Sequence, residues 1–289
     1  MPDCTLVTCA MVPELDPDDR LLLRELRRRG LTVSVAIWND PRADWGASRL
    51  SILRSTWDYH RRYGEFIAWI DKASSLTRIK NDLDLLNWNA HKSYLRDLAA
   101  CGVSVVPTVW VKRGERRRLA DIAADQGWRD LVLKPARGSA SHNVTLARRD
   151  ADSFASAQAQ LDRLTQADDA LVQPFLESVV NYGERALMFF GGRYSHAVLK
   201  KPFDSEFAIS DEPSTSMKAT AREIAVASAA VEAVPASTLY ARVDLLRDAQ
   251  GEPVVSELEL IEPALYLAVH GPARAVFADA IERELAIHG

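Results

Sequence analysis

The acidic residues near the end of the chain pose the first chemical question. Asp244, Glu257 and Glu259 sit in YARVDLL and VVSELELIEP, with Glu257 and Glu259 falling 13 and 15 residues after Asp244. Both stretches alternate as strands do, so Glu257 and Glu259 share one face. Asp244 joins them if it points to the same side of a neighbouring strand. Three converging carboxylates repel one another unless hydrated, protonated or bridged by cations, which makes a magnesium site the natural expectation. Freely solvated acids on an edge strand are the competing reading, and the apolar company of this segment weighs against it. Arg242 precedes Asp244 by two residues and shares its side. It could stabilise negative oxygen developing beside the cations, or form an internal salt bridge with one of the acids. Glu262 follows as a fourth acid, open to substrate or structural contacts.

A second cluster is basic. Lys134–Ser141 reads KPARGSAS directly after an apolar strand. A lysine at a strand end can meet phosphate charge, Gly138 lets the backbone approach closely, and Ser139 and Ser141 can donate hydroxyl hydrogen bonds. An ordinary polar hairpin loop would look the same, and this is not the GxxxxGK[ST] phosphate loop. Lys92 lies in NAHKSYL, read as helical, where a solvent-facing lysine is the plain alternative. Lys200 ends an apolar strand and faces either phosphates and substrate or, with Lys201, solvent.

The elements that must position these groups fall into three stretches, residues 1–85, 86–170 and 171–289. The first reads as an open α/β sheet: strands at Thr5–Cys9, Leu31–Trp38 and Ser51–Arg54, with a helix between the first two. Asp16 is placed as that helix's N-cap, Pro17 as its first residue, and Asp18 and Asp19 in the first turn. Arg27, Arg28 and Arg29 meet the negative end before Gly30. The second stretch is an α+β unit with helices over Asn89–Ala100, Glu115–Gln126 and Asp150–Leu164. Its strands fall at Val103–Val111, Leu131–Lys134 and Val144–Leu146. The third opens with Leu171–Phe175 as a connection at Pro174. Strands follow at Arg185–Phe190, Tyr194–Leu199, Leu239–Leu246 and Pro253–Leu260, with helices over Met217–Ala233 and Pro272–Ile287.

Composition excludes several classes. With 289 residues, 47% hydrophobic and 26% charged, the chain can bury a core and is not a disordered tail. A formal charge of -4 disfavours general nucleic-acid binding, and no basic patch with stacking aromatics accompanies it. No run approaches the ~20 apolar residues of a membrane span, and the first residues lack the basic and apolar regions of a secretory signal. A cytoplasmic protein without membrane or nucleic-acid partners is expected, with a homo-oligomer possible. Cys4, Cys9 and Cys101 are too few for a disulfide framework and read as reduced thiols. His91, His142, His196 and His270 make no zinc signature, and no flavin, haem or iron–sulfur requirement emerges.

In this order, Lys92, the KPxxG loop at Lys134, LVQPFLE at Leu171–Glu177 and the closing Asp/Glu/Glu pattern resemble the ATP-grasp superfamily over most of the chain. The resemblance implies a three-part architecture: an N-terminal preATP-grasp domain, a small central domain and a C-terminal domain with the metal acids. ATP and Mg2+ would lie between the last two. Lys92 and Lys134 match the paired phosphate-contacting lysines, Asp244, Glu257 and Glu259 the metal acids, and Gln173, Pro174, Phe175 and Leu176 the adenine-binding connection. Glu177 or Glu184 would meet the ribose or order the site. Glu259 departs from the pattern, since many members carry asparagine there; glutamate still offers oxygen but adds charge.

The implied chemistry is activation of a carboxylate as an acyl phosphate, followed by attack of a nitrogen nucleophile. Lys92, Lys134 and Arg242 would stabilise charge. The first domain would hold a small amino-acid-like carboxylate substrate, and its clearest candidate is RSTWDY at the end of the third strand. There Arg54 can pair with a carboxylate, Ser55 and Thr56 can donate, and Asp58 can hold an amine or orient Arg54. Trp57 reads as a pocket wall or a core residue. STWDY, YARVDLL and SELELIEPALYL are similar to a small-molecule branch of the superfamily whose cyclo-ligases form D-cycloserine from O-ureido-D-serine. The competing readings are an intermolecular carboxylate–amine ligase for an amino acid or short peptide, and an ATP-binding protein without turnover.

Overall fold

Cys4–Thr8 and Leu50–Ser55 are buried along their whole length, polar residues included, as in parallel strands covered on both faces. The computed structural model describes residues 1–138, 143–200 and 214–287. In it, β1 (Cys4–Thr8), β2 (Val33–Ile37), β3 (Leu50–Ser55) and β4 (Arg78–Lys80) form a parallel sheet in the order β2-β1-β3-β4. The helices α1 (Asp19–Arg28) and α2 (Tyr63–Ser74) are its crossovers, and α3 (Leu83–Asn89) and α4 (Tyr94–Ala100) lead away from it.

The central sheet is antiparallel. It contains β5 (Val109–Val111), β6 (Leu131–Pro135), β7 (Thr145–Ala147) and β8 (Ala170–Pro174) in the order β5-β8-β6-β7. The helices α5 (Leu119–Gln126) and α6 (Ala151–Ala167) belong to the same unit, and α7 (Ser178–Asn181) follows β8. The large sheet is also antiparallel, with β9 (Glu184–Phe190), β10 (Arg193–Lys200), β11 (Thr215–Met217), β12 (Tyr240–Arg247) and β13 (Pro253–Glu259) in the order β11-β10-β9-β12-β13. The last helices are α8 (Ala221–Glu232) and α9 (Ala273–Ala286). No helix among the described residues is long and apolar enough to cross a membrane.

Three expectations from local pattern give way to the observed contacts. The helix expected over Asn89–Ala100 is broken, because the Lys92 N–H donates to the Ala136 carbonyl at 2.8 Å; Lys92 therefore lies in the turn between α3 and α4. Leu171–Phe175 does not open the last unit: β8 pairs with both β5 and β6 inside the central sheet. The helix expected from Met217 begins only at Ala221, where Thr220 and Glu223 form a capping box after the short strand β11. The expected cap of α1 is present: Asp16 accepts from the Asp18 N–H on its side chain at 2.8 Å and from the Arg20 N–H on its carbonyl at 3.0 Å, and regular helix follows from Asp19. The Asp18 side chain accepts from the Leu267 and Ala268 N–H groups, at 2.8 and 2.6 Å.

The chain's last helix returns to its first. Arg29, expected only at the negative end of α1, reaches Asp279, Glu282 and the Ala275 carbonyl of α9. Phe277 of α9 stacks on Phe190 of the large sheet at 4.5 Å between ring centroids. Burying such rings is worth about 1.5–3 kcal/mol each, so the parallel and large sheets share one core.

The outer edge of β13 would be an open row of backbone groups, yet side chains and loops cover it. Asn81 donates to the Leu260 carbonyl at 2.7 Å, and Asn89 donates to the Leu258 carbonyl at 2.8 Å while accepting from the Leu260 N–H at 2.9 Å. The Tyr94 hydroxyl accepts from the Leu258 N–H, and the Ser104 carbonyl from the Val255 N–H. The strand that carries two of the acids is thus fixed from residue 255 to residue 260.

Candidate active site

The β12–β13 register sets Arg242 opposite Glu259 and Asp244 opposite Glu257. All four side chains share one face, and one oxygen from each of Asp244, Glu257 and Glu259 lies within 4.8 Å of the others. Cations already hold these acids. Arg242 donates to both Asp244 oxygens at 2.9 Å and also to Glu259. Lys200 reaches Asp244 at 2.9 Å and Glu184 at 2.8 Å. Lys92 reaches Glu257 at 3.1 Å and donates to the Gly138 carbonyl at 2.9 Å. The internal salt bridge is therefore the role Arg242 plays here, and Lys200 faces the acids and not solvent.

Burial and charge compete at every one of these groups. Burial works against the charge of Asp244, but Arg242 and Lys200 outweigh it and hold the carboxyl below its ordinary range. Burial likewise opposes Glu257, and Lys92 with Lys134 prevails in lowering it. At Glu259 burial prevails over Arg242, helped by Glu257 and Asp244, and its carboxyl is raised. Burial lowers Lys134 in spite of Glu257 and Glu184. Glu262 is pushed up to about 8 by burial and by Glu259. An all-oxygen donor set of three clustered carboxylates suits a hard divalent cation such as magnesium.

Beside this face lies a cleft of about 970 Å³, including its open mouth, between the central and large sheets. Its polar end holds Lys92, Lys134, Gly138, Glu184, Lys200, Arg242, Glu257 and Glu259. Its other walls are largely apolar, with Val132 of β6 beside Pro174, Phe175, Leu176, Val179 and Leu246. Period two puts Val132 and Lys134 on one face of β6, and Val132 pairs across the ladder with Gln173. Gln173 is buried and donates to the Thr108 hydroxyl at 2.9 Å, and the Phe175 N–H donates to the Asp130 carbonyl. Such a cleft can seat a flat heteroaromatic ring at one end and a phosphate chain at the other.

The proposed substrate cluster at RSTWDY is different. Arg54 is only 1% exposed, and its donors are spent on Asp19 at 2.9 Å, the Pro263 carbonyl at 2.8 Å and the Leu53 carbonyl at 3.3 Å. Its guanidinium also lies 5.0 Å from the Tyr240 ring centre. Ser55 is buried and donates to Asp19 at 2.6 Å. Thr56 is buried with no hydrogen-bond partner for its hydroxyl. Asp58 accepts from the Trp38 indole at 2.8 Å and does not orient Arg54. Arg54 and Ser55 are thus withdrawn as groups that touch substrate, and Thr56 and Asp58 line neither the cleft nor the smaller chamber beside it. Glu177 is also corrected: it is exposed, and Glu184 is the glutamate that lines the cleft. Ser139, Ser141 and His142 lie outside the described residues.

That smaller chamber shares Lys92, Gly138, Glu257 and Glu259 with the cleft and adds Tyr59, Asn89, Tyr94 and Glu262. Tyr59 closes the RSTWDY segment read as a substrate candidate, whereas Asn89 carried no sequence signal for such a place. Val132 could have been found, because it lies two residues from Lys134 on the same strand face.

Fold and site together define the class: this is an ATP-grasp enzyme, a ligase, sharing its architecture with D-alanine–D-alanine ligase from Bacillus anthracis. The two agree at a TM-score of 0.69 with 14% identity, over 99% of this chain and 97% of that one. Residues 4–81 match the family described as D-cycloserine synthetase DcsG, N-terminal domain. The cycloserine biosynthesis protein DcsG of Streptomyces lavendulae is 34% identical over 97% of this chain and 98% of its own. The crystal structure of D-cycloserine synthetase DcsG superposes with a TM-score of 0.90 at 34% identity, covering 98% of this chain and 99% of that one. The chain belongs to the D-cycloserine synthetase family of ATP-grasp ligases.

Proposed function

We propose that this protein uses ATP and magnesium to close O-ureido-D-serine into D-cycloserine. The observation that carries the reading is the pairing of three carboxylates within 4.8 Å with Lys92, Lys134, Lys200 and Arg242 at the polar end of one cleft. Near-full-length likeness to a D-cycloserine synthetase supports the choice of substrate.

In this account Gln173, Pro174, Phe175 and Leu176 seat the adenine, and Glu184 meets the ribose. Lys92 and Lys134 meet the phosphates with Gly138 beside them, and the hydroxyls of Ser139 and Ser141 would donate to phosphate oxygens. Asp244, Glu257 and Glu259 would hold magnesium, which when bound supplies neutralisation and alignment of the phosphate oxygens. Lys200, which pairs with Asp244 and Glu184, is placed to turn to the phosphates as they enter. Arg242 keeps Asp244 and Glu259 in register and adds positive charge where the transferring phosphoryl group gains negative charge.

The substrate carboxylate oxygen takes the terminal phosphoryl group, giving an acyl phosphate and ADP. The oxyamino nitrogen of the same molecule attacks the acyl carbon and expels phosphate, closing the five-membered ring. The carbamoyl group takes up one water and leaves as carbon dioxide and ammonia. A nucleophile carried on the substrate itself needs no second bound partner, which avoids the entropic cost of assembling one. The small chamber beside the acids suits a single compact substrate.

Purified protein incubated with magnesium, ATP and O-ureido-D-serine should release ADP and D-cycloserine in equal amounts by mass spectrometry. Substrate-dependent ADP without the cyclic product would redirect the reading to intermolecular ligation, tested next with pairs of amino acids. Absence of both from folded, ATP-binding protein would reject this substrate.

A further inference from the structure

The small chamber contains a carboxyl group that no side chain of the protein pairs with among the described residues. Glu262 lines it and is 9% exposed. Among the described residues its carboxylate has no ion pair and, besides its own backbone N–H, no hydrogen-bond donor. The two nearby arginines are committed elsewhere: Arg54 to Asp19 and the Pro263 carbonyl, and Arg242 to Asp244 and Glu259. A carboxylate buried this deeply without a counter-charge is costly, and natural sites seldom keep one without a use for it.

Its placement is also deliberate in the mechanical sense. Trp57 donates from its indole to the Glu262 carbonyl at 3.3 Å, and Arg54 donates to the next carbonyl, Pro263, at 2.8 Å. The RSTWDY segment, read from the sequence as a substrate cradle, thus holds the backbone that presents Glu262. The same chamber is also lined by Lys92, Glu257 and Glu259, the face where phosphoryl transfer is proposed.

We propose that Glu262 receives the α-ammonium group of the amino-acid substrate, so that the chamber selects small carboxylates bearing a neighbouring cation. This rests on the function proposed above. An α-amino acid carries its ammonium one carbon from the carboxylate, so pairing at Glu262 keeps the carboxylate within the chamber that Lys92 also lines. Pairing also keeps the amine protonated. An ammonium nitrogen has no lone pair with which to attack a second molecule's acyl phosphate, and the oxyamino nitrogen remains the available nucleophile. Glu262 is in these terms a specificity-determining residue that touches substrate away from the reacting atoms.

The test is calorimetric titration of the full chain, loaded with magnesium and AMP-PNP, using O-ureido-D-serine and its des-amino counterpart 3-(ureidooxy)propanoate. The wild type should bind the amino compound about 10- to 150-fold more tightly, the span of a hydrogen bond to a charged group. Glu262→Gln should lose most of that preference while binding the des-amino compound to within about twofold, since the amide keeps the shape and removes the charge. Equal binding of the two compounds by the wild type, including no binding of either, overturns the assignment. So does a Glu262→Gln variant that keeps the preference. If that variant fails to fold, the wild-type comparison alone decides. Binding with the expected preference but no D-cycloserine formed would reject ring closure and leave the role of Glu262 standing.

Discussion

Two arginine–aspartate pairs among the described residues are deeply buried, and only one of them borders the cleft where the chemistry is proposed. Arg54 and Asp19 are sealed, their side chains 1% and 3% exposed, and every strong donor of Arg54 ends on protein. Arg242 and Asp244 are as deeply buried, at 7% and 0%, but their neighbours are not sealed. Glu257 and Glu259 keep 28% and 30% of their side-chain surface, and they face a cleft with Lys92, Lys134 and Lys200 around it. Burial of an ion pair therefore does not distinguish a fastener from a working group. What distinguishes them is charge left over at a cavity wall after the protein's own partners are counted.

Substitutions can break this comparison from either side. Arg54→Ala should produce the largest change, a loss of about 3–5 kcal/mol of stability from stranding the buried Asp19. Denaturant melts would register it, while the Michaelis constants of the protein that remains folded stay near those of the wild type. A rise confined to the substrate's constant, without lost stability, would return Arg54 to the substrate. Lys134→Ala should do the reverse, lowering turnover by about 100- to 1000-fold through lost charge stabilisation while the melt barely moves. Near-normal turnover would remove Lys134 from the phosphates.

Smaller effects sharpen the contrast. Glu257→Gln should raise the magnesium needed for half-maximal rate by about 10-fold, as expected on removing one anionic ligand. An unchanged metal titration would take Glu257 out of the donor set. Glu177→Ala should change kcat/KM by less than about twofold, because an exposed glutamate outside the cleft touches nothing that reacts. A tenfold loss would restore it to the nucleotide site.

Much of the working face was legible from the sequence. Strand alternation is local, so Glu257 could be grouped with Glu259 and Arg242 with Asp244 from the sequence, while the β12–β13 register is what puts the two pairs on one face. The KPxxG lysine was legible for the same reason, since it ends an apolar strand. What failed depended on contacts between distant segments. Asp19 looked like a first-turn acid suited to the helix dipole, and nothing local to it names Arg54, 35 residues on, as its partner. Lys92 looked helical because the break is made by a hydrogen bond to Ala136 across the site. Residues 171–175 looked like a connection because Pro174 suggested one, whereas the ladders to β5 and β6 make them a strand of the central sheet. The chamber gathers Tyr59, Asn89 and Glu262 from three segments with no common periodicity; RSTWDY and Glu262 each drew notice in the sequence, but only the tertiary fold brings them together.

The central claim is that this face activates a carboxylate by phosphorylation before the ring closes. O-Ureido-D-serine labelled with oxygen-18 in both carboxylate oxygens, turned over with magnesium and ATP, tests it directly. An acyl phosphate leaves with one of those oxygens, so the account predicts a single oxygen-18 in the inorganic phosphate and one retained in the carbonyl of D-cycloserine. D-cycloserine formed alongside unlabelled phosphate would contradict it.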